Sequence, residues 1–344
     1  MAIKQIFKSD VNLLEVRNLT TAFKTENGLV RAIDDVSFDV PRGKCVGIVG
    51  ESGCGKSITA MSLVRLLPQP AAKILRGRVM FDGEDVLKMP YDRLRELRGG
   101  EIGVIFQEPL RALNPVHRIG DQIAETLMLH RGLTREAALR EAVEMLRYVH
   151  IPDPEARINE YPMSLSGGMR QRVVIAIALA CSPKLIIADE PTTALDVTVQ
   201  QQILSLLRQL KEDMGSSAIL ITHDLGVIAQ HCDRVVVMYG GRIVERAEVH
   251  ELFANPCHAY TKALLASMPR PEYARKTHLP TIPGSVAPIH EQVPGCRFCQ
   301  RMGRTGDTLI DRPRFVEVAP EHFVEACPLC APAAQQQPSA PPTA

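Results

Sequence analysis

Apolar and polar positions in the first third of the chain follow the periodicity of strands. From residue 12 to about 48 the two types alternate, with interruptions at Asn27-Gly28 and Pro41-Arg42-Gly43. This pattern predicts an antiparallel β segment. The continuous apolar run at 45–49 predicts a buried strand, and residues from about 76 to 106 continue as strands and a short helix.

Between about 118 and 160 the periodicity changes to that of a helix. Apolar positions recur at i, i+4 and i+7, and two prolines follow the run. The pattern predicts an amphipathic helix that the prolines terminate. Its positions are Leu139, Val143, Leu146 and His150, followed by Pro152 and Pro154.

A glycine-rich loop lies between the apolar run at 45–49 and a helix-like stretch at 58–63. It fits the pattern G-x-x-x-x-G-K-[ST], in which glycines let backbone N–H groups turn toward phosphates. We expect Lys56 to reach the β- and γ-phosphates of a nucleoside triphosphate and Ser57 to ligate Mg²⁺. A glycine-rich turn without a ligand is the alternative, which the placement before a helix disfavours. The loop consists of Gly50, Glu51, Ser52, Gly53, Cys54, Gly55, Lys56 and Ser57.

Two further polar groups lie beside apolar runs. The run at 185–188 predicts a buried parallel strand that delivers Asp189 and Glu190 at its carboxyl end, where open α/β sheets bind ligands. Upstream, the small residues at 166–168 lie where a helix is expected to begin. Their backbone N–H groups are suited to an anion.

The order of these motifs resembles that of the nucleotide-binding subunits of ABC transporters. Residues 165–168 match the LSGG signature of that family and precede a strand like its Walker B strand. The resemblance implies an α/β P-loop NTPase core with an antiparallel β subdomain and a helical signature subdomain. It also implies that two such domains sandwich two ATP molecules. Ser166, Gly167 and Gly168 would then meet the γ-phosphate that the opposite subunit holds.

The resemblance also implies roles for single residues. Asp189 would hold Mg²⁺, and Glu190 would orient and deprotonate the attacking water, whereas a solvated strand end is the alternative for two adjacent acids. Gln107 follows the apolar run at 104–106 and resembles the Q-loop glutamine that touches Mg²⁺ and the water. His223 resembles the switch histidine that contacts the γ-phosphate, and a structural histidine is the alternative.

Two more positions complete the implied site. Asp196 lies in a stretch that matches the D-loop, which runs along the dimer seam in this family. Phe23 lies where the family places an aromatic residue that stacks on adenine. Stacking needs only a flat π face, and a core position in a strand is the alternative for Phe23.

Further stretches resemble one branch of the family, the importers of di- and oligopeptides and of nickel. They lie at 108–115, 241–245 and 255–265, and the whole resemblance covers residues 12 to about 330. It implies a second ABC ATPase subunit, identical or related, and two transmembrane permease subunits that contact the surface around 107–120. An extracytoplasmic solute-binding protein would act indirectly. Nickel or another small solute is the alternative cargo.

Composition and charge agree with such a subunit. The 344 residues include 40 Lys and Arg against 39 Asp and Glu, which disfavours nucleic acid as a partner. No apolar run approaches the ~18 residues that span a bilayer, and residues 1–8 lack the apolar core of a signal peptide. We therefore expect a peripheral protein at the cytoplasmic face of the bacterial inner membrane. Scattered cysteines fit reduced thiols there, at Cys45, Cys54, Cys181, Cys232 and Cys257.

The remaining four cysteines form the motif C-x2-C-x27-C-x2-C, at Cys296, Cys299, Cys327 and Cys330. Two close pairs in a reduced compartment predict four thiolate ligands of one metal centre, and free thiols or a disulfide are the alternatives. This cysteine tetrad lies outside every nucleotide motif. We therefore expect it to hold the C-terminal region or its subunit contacts and not to take part in phosphate chemistry.

The metal at the tetrad has two candidates. Relatives in the peptide-importer branch carry a C-terminal cysteine motif with a [4Fe-4S] cluster, and Cys296 and Cys327 match its first and last positions. Met302 stands at the second position, and no cysteine occurs near Leu309. The resemblance favours the cluster, while the paired spacing favours Zn²⁺.

The sequence predicts three regions. An ABC nucleotide-binding domain covers 12–265, with its helical subdomain at about 118–170. A small, irregular C-terminal extension with the tetrad covers 266–330, and a tail rich in Pro, Ala and Gln at 331–344 is predicted to be disordered.

The function predicted from these motifs is ATP hydrolysis that energises an importer, with di- or oligopeptides as the first choice of cargo. Soluble ABC proteins that remodel ribosomes or DNA usually have two cassettes or a long coiled-coil insertion, and this chain shows neither. A regulatory subunit with an inactive site is disfavoured because the key polar residues are intact. These are Lys56, Asp189, Glu190 and His223.

Overall fold

The computed structural model describes residues 12–26, 28–193, 195–268, 278, 280–332 and 334. They form two units, and each unit consists of several separate segments of the chain. Unit 1 comprises 12–15, 39–45 and 79–219, and unit 2 comprises 16–38, 46–78 and the described residues from 220 onward. Residues 1–8 and almost all of the predicted tail at 331–344 lie outside the described residues. The predicted domain boundaries stay predictions.

Strands occupy the alternating stretch that begins at residue 12 and the apolar runs at 45–49 and 185–188. β1 and β2 are neighbours separated by only two residues, which requires a hairpin and matches the antiparallel segment predicted from residue 12. The strands are β1 (Asn12–Thr25), β2 (Gly28–Pro41), β3 (Cys45–Val49), β4 (Ala72–Phe81), β5 (Glu84–Asp85), β6 (Ile102–Ile105), β7 (Leu185–Asp189), β8 (Ser217–Thr222), β9 (Arg234–Tyr239), β10 (Arg242–Glu248), β11 (Phe315–Ala319) and β12 (His322–Glu325).

Helices make up most of the remaining regular structure. Among the described residues, no helix is both long and apolar enough to cross a membrane. The helices are α1 (Lys56–Leu63), α2 (Tyr91–Gly100), α3 (Pro109–Ala112), α4 (Ile119–Arg131), α5 (Arg135–Tyr148), α6 (Pro154–Arg157), α7 (Gly167–Leu179), α8 (Val197–Met214), α9 (Leu225–His231), α10 (Val249–Ala254), α11 (Ala259–Ala266) and α12 (Arg297–Arg301).

Unit 1 contains the helical region predicted between 118 and 160, where α4, α5 and α7 pack together. The predicted extent of α5 was wrong at its end. The helix stops at Tyr148, and His150 lies beyond it, exposed and with φ of 58°. Pro154 begins α6 at a position where the missing N–H costs no hydrogen bond.

The buried face of α5 also differs from the predicted one. Ala138, Ala142 and Leu146 are buried, whereas Leu139 and Val143 lie half-buried at the border of that face. Small alanine side chains let a neighbouring helix approach closely. The sequence pattern counted only large apolar residues and left out the alanines. It therefore predicted a buried face of α5 that is slightly rotated from the observed one.

Two parallel strands of unit 1 position predicted site residues at their ends. β6 pairs with β7 from Ile102 opposite Leu185 to Ile105 opposite Ala188. Every residue of β7 is buried, as its continuous apolar run predicted. Because parallel strands end at the same edge, the residues that follow β6 and β7 lie near each other.

Unit 2 contains a sheet in which β11, β12, β10, β9 and β3 follow one another. β3 is parallel to β9, and the pairs β9–β10, β10–β12 and β11–β12 are antiparallel. The C-terminal region is therefore more regular than its proline content indicated, because its hairpin extends the sheet through β10. The core against this sheet includes Tyr239, Tyr260, Phe298 and all four cysteines of the tetrad.

Candidate nucleotide-binding site

The glycine-rich loop joins β3 to α1 in unit 2, as predicted. Two of its glycines are required by close backbone contacts. A Cβ on Gly50 would lie 2.2 Å from the carbonyl oxygen of Met238, and one on Gly55, where φ is 100°, would lie 2.8 Å from Ile33. Ser52 and Gly53 are exposed at the tip of the loop. The loop therefore keeps a fixed base and presents its tip to solvent.

Lys56 is buried with its ammonium group inside the loop. Its Nζ donates to the carbonyl oxygens of Gly50 at 2.8 Å and Glu51 at 3.1 Å. Burial raises the pKa of the nearby Cys54 thiol, which therefore stays protonated at neutral pH. Ser57 lies half-buried in the first turn of α1. The loop thus carries one buried cation where phosphates are predicted to bind.

Two other predicted site residues belong to unit 2. Phe23 lies on β1 with a half-buried side chain, so it is not one of the fully buried core residues. His223 follows β8 directly and is exposed. Their roles toward adenine and the γ-phosphate stay predictions.

Unit 1 brings Gln107 and Glu190 together at the end of the paired strands. Gln107 Nε2 donates to Glu190 Oε2 at 3.0 Å, and Thr193 Oγ1 donates to the same oxygen at 2.9 Å. Glu190 has a φ of 46°, a conformation that costs an L-residue about 1–3 kcal/mol and clusters at functional sites. Thr193 is a hydrogen-bonding partner of Glu190 that the sequence reasoning missed, although a hydroxyl three residues after an acid can indicate such a bond.

The oxygen donors of the predicted metal site suit Mg²⁺. Because Gln107 gives its amide nitrogen to Glu190, its carbonyl oxygen is the atom left to face a cation. Asp189 of the same unit is 5% exposed and offers a carboxylate. Mg²⁺ prefers such hard oxygen ligands. The residue types therefore fit the ion, and their assignment as its ligands stays a prediction.

The signature residues begin a helix of unit 1, as predicted. Ser166 caps α7, and its Oγ accepts the N–H of Met169 at 3.3 Å. Asp196 caps α8 in the same way, with its Oδ1 accepting the N–H of Val199 at 3.0 Å. Gly168 packs so closely that a Cβ would lie 2.8 Å from Val199. Ala194 of the D-loop stretch lies outside the described residues.

The stretch after Gln107 is held in shape by Gln122, which the sequence reasoning also missed. Gln122 accepts the N–H of Asn114 at 2.9 Å and donates to the carbonyl oxygens of Asn114 and His117, both at 3.0 Å. Leu110 and Val116 on this stretch are 51% and 75% exposed. A rigid loop thus presents two apolar side chains to solvent.

The four cysteines of the tetrad come together in unit 2, and all are buried. Sγ–Sγ distances are 3.7 Å for Cys296–Cys330, 3.5 Å for Cys299–Cys327 and 3.4 Å for Cys299–Cys330. A disulfide is ~2.05 Å long, so none of these three pairs is disulfide-bonded. Met302, the residue that the resemblance places at the second cysteine position, directly follows α12 and is not part of the cluster.

Polar groups donate hydrogen bonds to the sulfurs of Cys296, Cys299 and Cys330. The backbone N–H of Cys299 donates to Cys296 Sγ at 3.4 Å. Arg304 Nη1 donates to Cys299 Sγ at 3.6 Å and to Cys330 Sγ at 3.5 Å. These donors suit thiolates bound to a cation.

Comparisons with known proteins agree with this geometry. Residues 33–193 match the family described as ABC transporter, and residues 244–306 match the oligopeptide/dipeptide transporter C-terminal region. The chain is 54% identical over 294 residues to the probable peptide ABC transporter ATP-binding protein y4tR of Sinorhizobium fredii, which covers 86% of this chain and 88% of that protein. It is 46% identical to the oligopeptide transport ATP-binding protein OppD of Bacillus subtilis, over 91% and 88% of the two chains.

A solved structure gives the same fold. The ATP-binding cassette MJ0796, in a dimeric post-hydrolysis state bound to ADP and Pi, aligns with a TM-score of 0.62 and 29% identity. The alignment covers 69% of this chain and 98% of the cassette. The predicted family and α/β P-loop fold class are thereby confirmed. The chain belongs to the ABC transporter family, as an ATP-binding and ATP-hydrolysing subunit whose C-terminal region is that of the oligopeptide/dipeptide transporters.

Proposed function

We propose that this chain hydrolyses ATP to drive the import of di- or oligopeptides at the cytoplasmic face of a bacterial inner membrane. The observation that carries the proposal is the match of residues 244–306 to the oligopeptide/dipeptide transporter C-terminal region. Relatives named for peptide transport, at 46–54% identity over most of the chain, support it. Import of nickel is the alternative within the same branch.

In the proposed mechanism, the glycine-rich loop and Lys56 bind the phosphates of ATP. Ser57, Asp189 and the carbonyl oxygen of Gln107 are the proposed ligands of Mg²⁺, which offsets charge on the transferring phosphoryl group when bound. Glu190 takes a proton from the attacking water. The two hydrogen bonds to Glu190 Oε2 support this role, because they fix the orientation of the carboxylate before the water arrives.

The proposed assembly pairs this chain with a second ABC ATPase subunit beneath two permease subunits, served indirectly by a solute-binding protein. Phe23, His223, Ser166, Gly167, Gly168 and Asp196 keep the roles that the resemblance implies for them. Two exposed apolar side chains on the stretch after Gln107 support contact with permeases. They are Leu110 and Val116, on the loop that Gln122 holds in shape.

Uptake by cells tests the proposed cargo. A strain without this gene is expected to lose import of a labelled dipeptide or oligopeptide and to keep import of nickel. The wild-type gene should restore uptake, and Lys56→Ala should not. Lys88→Ala, which changes an exposed lysine, is the matched control and should restore it. Loss of nickel uptake with normal peptide uptake would overturn the peptide assignment.

We also propose that the cysteine tetrad holds a metal centre. A tetrahedral Zn²⁺ with Zn–S bonds of ~2.3 Å separates its sulfurs by ~3.8 Å, close to the observed 3.4–3.7 Å. A [4Fe-4S] cluster, which the resemblance favours, needs sulfurs farther apart because each binds a different iron. The sulfur spacing therefore supports a single ion such as Zn²⁺ over the cluster.

Metal analysis of anaerobically purified protein distinguishes these cases. We expect one zinc per chain and no colour, whereas a cluster would give four irons and a broad absorbance near ~400 nm. Replacing Cys296 and Cys327 with serine should remove the metal and lower the melting temperature. Cys181→Ser, at a half-buried cysteine outside the tetrad, is the control and should keep the metal. Metal-free protein with four titratable thiols would contradict the proposal.

A further inference from the structure

Glu51, the second residue of the phosphate-binding loop, is held at each of its polar groups. Its carbonyl oxygen accepts from Lys56 Nζ at 3.1 Å, and its backbone N–H donates to the hydroxyl of Tyr260 at 2.9 Å. Its carboxylate pairs with Arg301 through both oxygens. Two of these three partners belong to the C-terminal part of the chain. The conformation of the loop at Glu51 is therefore set from outside the loop.

Arg301 is fixed before it reaches Glu51. Its side chain is 3% exposed, and its Nε donates to the carbonyl oxygen of Pro283 at 2.9 Å. Its Nη2 donates to the carbonyl oxygens of Ile282 at 3.0 Å and Gly284 at 3.1 Å. A guanidinium held by three carbonyl groups presents a rigid two-pronged donor to one carboxylate. The Glu51–Arg301 pair therefore fixes the position of Glu51, unlike a solvent-exposed ion pair between two mobile side chains.

Arg301 is also tied to the cysteine tetrad. It is the last residue of α12, which Cys296 caps and which contains Cys299. Both cysteines are fully buried and contact the sulfurs of the second pair. The contacts between the sulfurs fix α12. They therefore also fix the position of Arg301 relative to the loop.

Tyr260 connects the loop to the tetrad by a second route. Its buried ring packs against Tyr239 at 4.5 Å and against Phe298 at 5.5 Å between ring centroids. Phe298 lies in α12 between Cys296 and Cys299. Burial raises the pKa of Tyr260, so its hydroxyl stays neutral and accepts the N–H of Glu51.

His258 extends this second route to a sulfur. Its Nδ1 accepts the N–H of Tyr260 at 3.1 Å, so the proton of a neutral ring is on Nε2. Nε2 is buried without a hydrogen-bonding partner among the described residues. Ligand atoms of His258, Cys296 and Glu325 lie within 4.8 Å of one another. The short segment 258–260 therefore joins the two places: His258 lies beside the tetrad, and Tyr260 contacts the phosphate-binding loop.

We propose that Arg301 and Tyr260 are positioning residues of the nucleotide site, and that the cysteine tetrad sets the conformation of Glu51 by fixing both of them. The proposal rests on ATP binding at this loop. It revises the expectation that the tetrad has no bearing on phosphate chemistry. Both residues contact Glu51, and in the proposal they act on nucleotide binding through it.

Equilibrium binding of a fluorescent ATP analogue to the full-length protein tests the proposal. Arg301→Ala and Glu51→Gln should each weaken binding by about tenfold, because each removes the same charge-assisted pair. The double variant should be no weaker than either single variant, since the two changes share one interaction. Tyr260→Phe should weaken binding by about threefold. In steady state, KM should rise while kcat changes little.

Arg314→Ala is the matched control, because Arg314 is an exposed arginine of the same C-terminal region. Binding by Arg301→Ala within twofold of this control, in folded protein, would overturn the proposal, as would additive effects in the double variant. If Arg301→Ala fails to fold, Glu51→Gln decides alone, because it leaves α12 untouched. Wild-type protein that binds no ATP would instead overturn the proposed function.

Cys299→Ser tests the role of the tetrad in ATP binding. The test applies both to metal-bound and to protonated sulfurs. The substitution should weaken ATP binding in the wild-type background at least as much as Glu51→Gln does. In the Glu51→Gln background it should weaken binding further by no more than about threefold, because only the contact of Tyr260 with the backbone N–H of Glu51 remains. Unchanged ATP affinity in the Cys299→Ser variant would remove the tetrad from the proposal. Hydrogen exchange at the loop amides gives a second readout, and should increase in the same variants.

Discussion

Glu190→Gln is expected to lower ATP turnover at least ~100-fold while ATP binding stays nearly intact. The amide keeps the shape of the carboxylate but cannot accept a proton from water, and general-base catalysis contributes ~10²–10⁴ in rate. Gln107 and Thr193, which donate to Glu190 Oε2, can donate to an amide oxygen as well. Phosphate release and nucleotide affinity, measured on the same preparation, separate the two effects.

Lys56→Ala is expected to impair nucleotide binding, in contrast to Glu190→Gln, which is expected to impair turnover. Loss of a charge-assisted bond costs about 1.5–3 kcal/mol, so nucleotide binding itself should weaken by roughly 10–150-fold. Thr193→Ala should keep binding and lose part of the turnover, because Glu190 then keeps only one of these two orienting bonds. A mild and equal loss of activity in the Glu190 and Lys56 variants would contradict both assignments.

Local patterns predicted the parts of the site that are local in sequence. The loop at 50–57 combines its strand, glycines and helix within one short segment, and the structure has that arrangement. β7 is a continuous apolar run that ends in Asp189, and Ser166 begins a helix. In each case the physical cause, burial or an unpaired helix end, acts within a few residues.

Contacts between distant segments were not predictable in this way. The Glu51–Arg301 pair joins residues 250 positions apart, and nothing in the sequence around either one names the other. Gln122 and Thr193 act through single side chains without a periodic pattern. The end of α5 was misplaced because His150 fits helical spacing, yet it lies in the turn beyond Tyr148. Pattern reasoning therefore predicted the local segments and missed the contacts that join distant ones.

Ser166→Arg is expected to abolish ATP hydrolysis at the partner subunit's phosphate loop while this chain's own loop still binds ATP. The reason is steric and geometric: α7 begins at Ser166, and a long side chain there would occupy the space where the resemblance places the γ-phosphate of the opposite subunit. Turnover of the assembled ATPase pair should fall at least ~100-fold. Nucleotide affinity of the isolated variant chain should match the wild type.

Ser166→Ala separates this effect from loss of the helix cap. Ser166 Oγ accepts the N–H of Met169, so both substitutions remove a cap worth about 1 kcal/mol and should lower the melting temperature alike. Only arginine adds bulk at the seam, so only arginine should abolish turnover. Light scattering during turnover checks the premise, because wild-type activity should appear with the dimer. Full activity of a strictly monomeric species would refute the sandwich and, with it, any role of Ser166 toward the opposite nucleotide.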